Sequence, residues 1–129
     1  MKILNLIIKQ KYFDAIMEGR KVQEFREIRP TTYKKLCETD QDEDGTFIKQ
    51  DEHGTPIPQK YDAIRFYVGY NTDRDSALVE IKNANVEFFV DDNNELITYD
   101  VDGNMWYATQ VVYDLGRIIE TNIHPKSRR

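Results

Sequence analysis

The chain has 129 residues, 40% of them apolar and 12% aromatic, which is enough for one domain with a single real core and too little for two. It carries 18 Lys and Arg against 23 Asp and Glu, a net charge of −5, which argues against tight, indiscriminate binding to nucleic acid, where affinity comes mainly from neutralised phosphates. No apolar run reaches membrane-spanning length and Cys37 is the only cysteine, so a membrane partner and an internal disulfide are excluded and a soluble, cytoplasmic protein is expected.

The elements follow in chain order. Residues 3–9 read as a buried strand. Residues 10–18 read as a helix, with Tyr12, Phe13, Ile16 and Met17 on one apolar stripe and Gly19 as the left-handed residue that closes it. A second strand spans 21–29, and Pro30 ends it. On that strand Val22, Glu24, Arg26 and Ile28 share one face, because side chains alternate along extended backbone. Val22 and Ile28 point this face inward, yet its middle is a carboxylate and a guanidinium. Buried charges are costly unless they pair or meet a polar ligand. The face is therefore either a polar cleft or an ordinary solvated strand surface.

A short second helix is expected at 31–36 after Thr31 or Thr32 as cap. Residues 38–60 hold a run of acids followed by Gly and Pro and read as an acidic loop insertion, with a hairpin around 46–49, that is dispensable for folding. Within it, Asp40-Gln41-Asp42-Glu43-Asp44-Gly45 matches the opening of a calcium loop. The match then fails, since position twelve is Asp51 and Gly54, Pro56 and Pro58 forbid the helix that should follow. It reads as a solvated acidic hairpin. His53 and His124 sit in turn-like contexts, too few for a histidine metal site, so no metal and no cofactor is expected.

Residues 61–69 resume as a half-buried strand, followed by strands at 77–82 and 86–90. Asp91-Asp92-Asn93-Asn94 turns the chain, and Asp102-Gly103 signals a hairpin before Met105-Trp106-Tyr107. The last strand lies within 109–120, where Gly116 marks a bulge or a close approach, and the tail from Pro125 to Arg129 is expected to fray. Two helices among about half a dozen strands suggest an α+β fold, a twisted or barrel-like sheet with helices at its end.

Charge is uneven along this order. Residues 1–35 hold nine Lys and Arg against four acids, whereas residues 36–62 hold two against eight. The basic first third permits a local anionic site. Tyr70, at a strand end beside Gly69 and Asn71, can stack a base or simply sit in the core with its hydroxyl at the rim.

Taken together, these residues resemble the ASCH domain, a member of the PUA-like β-barrel group. The resemblance rests on Gly19-x-Lys21-x-x-Glu24-x-Arg26 after a strand and a short helix, on Tyr61-Asp62-Ala63-Ile64-Arg65-Phe66 with Gly69-Tyr70, and on Asp114-Leu115-Gly116-Arg117-Ile118-Ile119. It covers most of the chain apart from 38–60 and the stretch around 91–108. It implies a single PUA-like domain over 1–129, a barrel of about 5–6 strands with a helix after the first strand. The implied cleft, beside that helix, is lined by Lys21, Glu24 and Arg26.

The resemblance further implies a partner that is RNA or a nucleotide-like small molecule, with no specific protein partner. Ligand-binding residues would be Lys21, Glu24, Arg26, Tyr70, Lys9, Gln10 and Asn71. Arg26 offers a planar fork, Lys21 a point charge and Glu24 an acceptor for an exocyclic amine. A few small family members are hydrolases on an acetylated nucleoside or on RNA, which would make Lys21 and Glu24 catalytic. Glu24 stands where the amidohydrolase has a threonine; desolvation beside Arg26 would turn Lys21 toward a base or nucleophile, whereas the Glu24 carboxylate would favour its charged form, and the sequence leaves both open. A third reading makes Glu24 and Arg26 a structural ion pair. In the cleft reading Lys21 has no obligatory structural partner.

Overall fold

The computed structural model describes residues 1–125. It contains strands β1 (Ile3–Ile8), β2 (Gln23–Ile28), β3 (Thr39–Asp42), β4 (Gly45–Ile48), β5 (Ala63–Val68), β6 (Ser76–Phe88), β7 (Thr98–Val101), β8 (Asn104–Tyr107) and β9 (Thr109–Asn122), with helices α1 (Gln10–Met17) and α2 (Tyr33–Leu36). The fold is α+β and mostly strand. Five strands make one mixed sheet in the order β1-β5-β6-β9-β2, and β3-β4 and β7-β8 form two separate hairpins. Among the described residues no closed barrel is detected. Closure requires the two edge strands to pair with each other, and here β1 and β2 each have one strand neighbour, β5 and β9.

The chain divides into two compact units. The first comprises residues 1–24, 60–83 and the segment from 113 onward. In it β1 runs parallel to β5, Ile3 opposite Ala63 through Ile8 opposite Val68, and β5 runs antiparallel to β6, Ala63 opposite Glu80 through Tyr67 opposite Ser76. Leu4, Leu6 and Ile8 alternate inward as a strand with one buried face must, and meet the same demand as Ile64, Phe66, Ala77 and Val79. Helix α1 buries Phe13, Ala15 and Ile16. Tyr12, expected on the same stripe, is instead exposed, because the helix has only two full turns and its apolar arc is narrower than that stripe.

Helix α1 ends as its sequence foretells. Gly19 has φ +75°, its N–H donates to Ile16 O (3.1 Å), and Arg20 N–H donates to Ala15 O (2.9 Å). These are the two backbone bonds of a Schellman closure, which satisfies carbonyls the helix would leave open.

The second unit comprises residues 25–59 and 84–112. Its buried side chains include Ile28, Leu36, Cys37, Val111 and Val112. The region expected to be an acidic loop is ordered: β3 and β4 pair from Thr39 opposite Ile48 to Asp42 opposite Gly45. Beyond the hairpin, Asp51 Oδ1 accepts from His53 N (2.8 Å) and Thr55 N (3.0 Å), and these bonds hold its carboxyl below the usual range. The Asp102-Gly103 turn adopts φ +51° and +84°, the left-handed pair required for a tight two-residue hairpin between β7 and β8.

Two expectations need correction. The strands expected at 77–82 and 86–90 are one strand, β6, because Asn83-Ala84-Asn85 contains no Gly or Pro to break the ladder. On β2 the inward face holds Glu24 and Ile28, with Arg26 half-buried, but Val22 lies outside the strand and is exposed. The expected frayed tail falls, from residue 126 on, outside the described residues. No helix among the described residues is long and apolar enough to cross a membrane.

Candidate functional site

Lys21 follows the Schellman closure directly, and its own N–H also donates to Ala15 O (3.1 Å), so the backbone that carries it is anchored to the helix end. Three residues on, Glu24 is an inward position of β2. The strand start is fixed to β9 by Leu115 N–H donating to Val22 O (2.9 Å) and by Gln23 Nε2 donating to Asp114 Oδ1 (2.7 Å). These constraints bring Lys21 Nζ to 3.3 Å from Glu24 Oε1, with the side chains only 20% and 8% exposed. Lys21 therefore has a structural partner in Glu24, which the cleft reading did not require. Its ammonium also lies 5.7 Å from the ring centre of Tyr12, within cation–π range, which gives the exposed Tyr12 a neighbour outside the core.

Lys21 lines a depression of about 260 Å³ together with Gly19, Met17, Val22, Gly116 and Arg117 among others, and Glu24 lies outside the lining. Gly116 meets the expectation of a close approach. A Cβ there would stand 2.2 Å from Glu80 Oε1, so the absence of a side chain is what lets the Glu80 carboxylate lie across β9. The depression thus has a cation from the α1–β2 connection, Lys21, and one from β9, Arg117, with apolar walls between them.

Tyr70 and Asn71 line a separate depression of about 290 Å³, together with Tyr67, Arg74, Asn122 and His124. It shares no lining residue with the first. Tyr70 is 83% exposed, so the rim-of-core reading fails for it. Arg74 stacks over Tyr67, 4.0 Å from the ring centre, and donates to Gly69 O (2.9 Å). Gln10 is engaged within the fold: its Nε2 donates to Asp14 Oδ1 (3.0 Å) and to Asp75 Oδ2 (3.2 Å). Lys9 is exposed at the N-cap of α1, without a capping side-chain bond. Arg26 belongs to the second unit.

The structure adds residues that sequence reasoning missed. Asp75 is wholly buried and also accepts from His124 N (2.8 Å), and neither its neighbours nor any spacing signalled a buried carboxylate. Arg74 carried no pattern of its own, and Arg117, though within the closing segment of the resemblance, was not expected to line a site. Cys37 is buried, and desolvation pushes its thiol up to about 11, which removes it as a nucleophile near neutral pH. Among the described residues no group of three or more His, Cys, Asp or Glu side chains is arranged to hold a metal ion. Comparison with protein-family models, with curated proteins and with solved structures gave no match.

Proposed function

We propose that this chain is a PUA-like module of the ASCH type that binds a nucleotide, or a nucleotide within short RNA, beside the Lys21–Glu24 pair. The observation that carries the reading is the pair itself: a lysine that lines an open depression and stands 3.3 Å from a buried glutamate, held by a helix closure and the start of a strand. Lysine supplies a point charge for a phosphate, and a carboxylate accepts from an exocyclic amine, so the two together suit a base–phosphate combination. The volume, about 260 Å³, falls just under the range of about 300–1,000 Å³ usual for small-molecule pockets, which fits a nucleoside-sized fragment rather than a long strand. Hydrolysis of a modified nucleoside is the less favoured reading, because a lysine held against a carboxylate is placed to donate hydrogen bonds rather than to attack.

An NMR titration of the labelled protein with cytidine, cytidine monophosphate and a short RNA tests this. Saturable shifts should centre on residues 19–24 and on 116–117, and Glu24→Gln should reduce them while the protein remains folded. Shifts confined to Tyr70 and Asn71, or none with any of the three, would overturn the proposal.

A further inference from the structure

The second unit has a charge and a surface of its own. Its residues hold five Lys and Arg against fourteen Asp and Glu, a net −9 within a chain of net −5. On this acidic unit lies a groove of about 690 Å³, within the size range of small-molecule sites. Its walls come from hairpin β3–β4, hairpin β7–β8 and helix α2. Five aromatic rings line it: Tyr33, Phe47, Phe88, Trp106 and Tyr107. Asp44 is its one carboxylate, and no Lys, Arg or His lines it.

The rings are arranged for a compact guest. Tyr33 and Trp106 have centroids 5.6 Å apart and planes inclined at 54°, so they meet as a corner rather than as a parallel slot. Phe88 and Tyr107 form a second inclined pair, 6.0 Å apart at 66°. Centroids this close mark each pair as packed edge to face, which leaves no slot between the rings for a planar base, whereas a rounded cation can rest against the outer π face of a ring. Lys34 Nζ lies 5.9 Å from the Tyr33 ring centre, at the limit of cation–π range, and does not line the groove. Negative unit charge, one carboxylate and inclined aromatic faces exclude a phosphate and favour a positive guest.

We propose that this groove binds a free small organic cation bearing an alkylated ammonium group, seated at the Tyr33–Trp106 corner with Asp44 as the counter-charge. Alkylation matters, because a bare ammonium keeps its strong hydration while a methylated one gives up little on entering an aromatic corner. The inference is independent of the nucleotide reading, since none of its residues lies in the first unit.

Trp106 is the only tryptophan of the chain, so its fluorescence reports on this groove without labelling. The intact protein should be titrated with choline, with its neutral isostere 3,3-dimethylbutan-1-ol, with adenosine, and with a peptide carrying trimethyllysine. Choline should give a saturable change, weakened by added salt, and the isostere should bind about tenfold more weakly. Phe47→Leu, at an exposed position, and Asp44→Asn should each weaken choline binding several-fold while the thermal melt is unchanged. Equal response to the neutral isostere would make the groove merely apolar and overturn the proposal. So would tighter binding of adenosine, binding of the peptide without choline, or no saturable change with choline into the tens of millimolar.

Discussion

Lys21 Nζ and Glu24 Oε1 stand 3.3 Å apart across the junction of a helix closure and a strand, and the carboxylate is almost wholly removed from solvent. Deleting one member of such a pair forfeits its attraction while the partner keeps its desolvation cost. Lys21→Ala and Glu24→Ala should each lower stability by about 1–3 kcal/mol. Replacing both with apolar residues of similar size should recover much of the loss and still abolish nucleotide binding. Denaturant melts of the four proteins, read as a double-mutant cycle, check this; independent, additive losses would show that the pair is not coupled.

Gly116 and Glu80 give a second, opposite case. An added Cβ at Gly116 meets Glu80 Oε1 at 2.2 Å and Lys82 Cγ at 3.0 Å, but both are parts of long side chains that can swing away. Gly116→Ala should therefore cost only about 1 kcal/mol. In a Glu80→Ala background the same change should cost less, with only the Lys82 stem left to shift. A large loss in that background, measured by thermal melting, would place the constraint in the backbone instead.

Burial of Cys37 links stability to alkaline pH. Its thiol is raised from an ordinary 9.0 to about 11 by desolvation. Below pH 9 it is neutral in both states and its contribution is fully present. Between 9.0 and about 11 the unfolded chain loses this proton while the folded chain keeps it, so stability falls as pH rises through that window. Cys37→Ala should flatten this part of the profile, and a thiol reagent at pH 8 should react with the native protein only at the rate at which it opens.

The Tyr99 hydroxyl is buried without a hydrogen-bond partner among the described residues. An unsatisfied buried hydroxyl is a cost, so Tyr99→Phe should be neutral or stabilising by up to about 1 kcal/mol. A clear loss of stability on calorimetry would reveal a bonded water at that hydroxyl.

Segment 38–60 should prove dispensable only in part. Its hairpin carries exposed or half-buried side chains, whereas Glu38 N–H donates to Ile57 O (2.8 Å) and Gln59 N–H to Leu36 O (3.0 Å) beside the buried Cys37. Replacing 40–55 with a short Gly-Ser turn keeps those two bonds and should leave a cooperative melt, with the choline response lost. Removing all of 38–60 should lower the melting temperature much further.

Local chemistry made much of this chain legible from its residues. The Gly19 closure, the Asp102-Gly103 hairpin and the inward turn of Glu24 and Ile28 each follow from backbone sterics or from strand alternation, which act within a few residues. Helix α1 and strands β1, β2 and β5 follow from the same short-range rules, whereas the continuity of β6 and the pairing of β3 with β4 do not. What the chain could not reveal by itself depends on which segments meet. Asp75 is buried because residues 10 and 124 fold over it, from 65 positions before it and 49 after it. The corner of Tyr33 and Trp106 joins a helix to a hairpin across 73 positions, and neither ring carries a local sign of its partner. Sheet closure is of the same kind. Whether the first strand pairs with the last is decided by twist and stagger summed over the whole sheet, and no single residue records that sum.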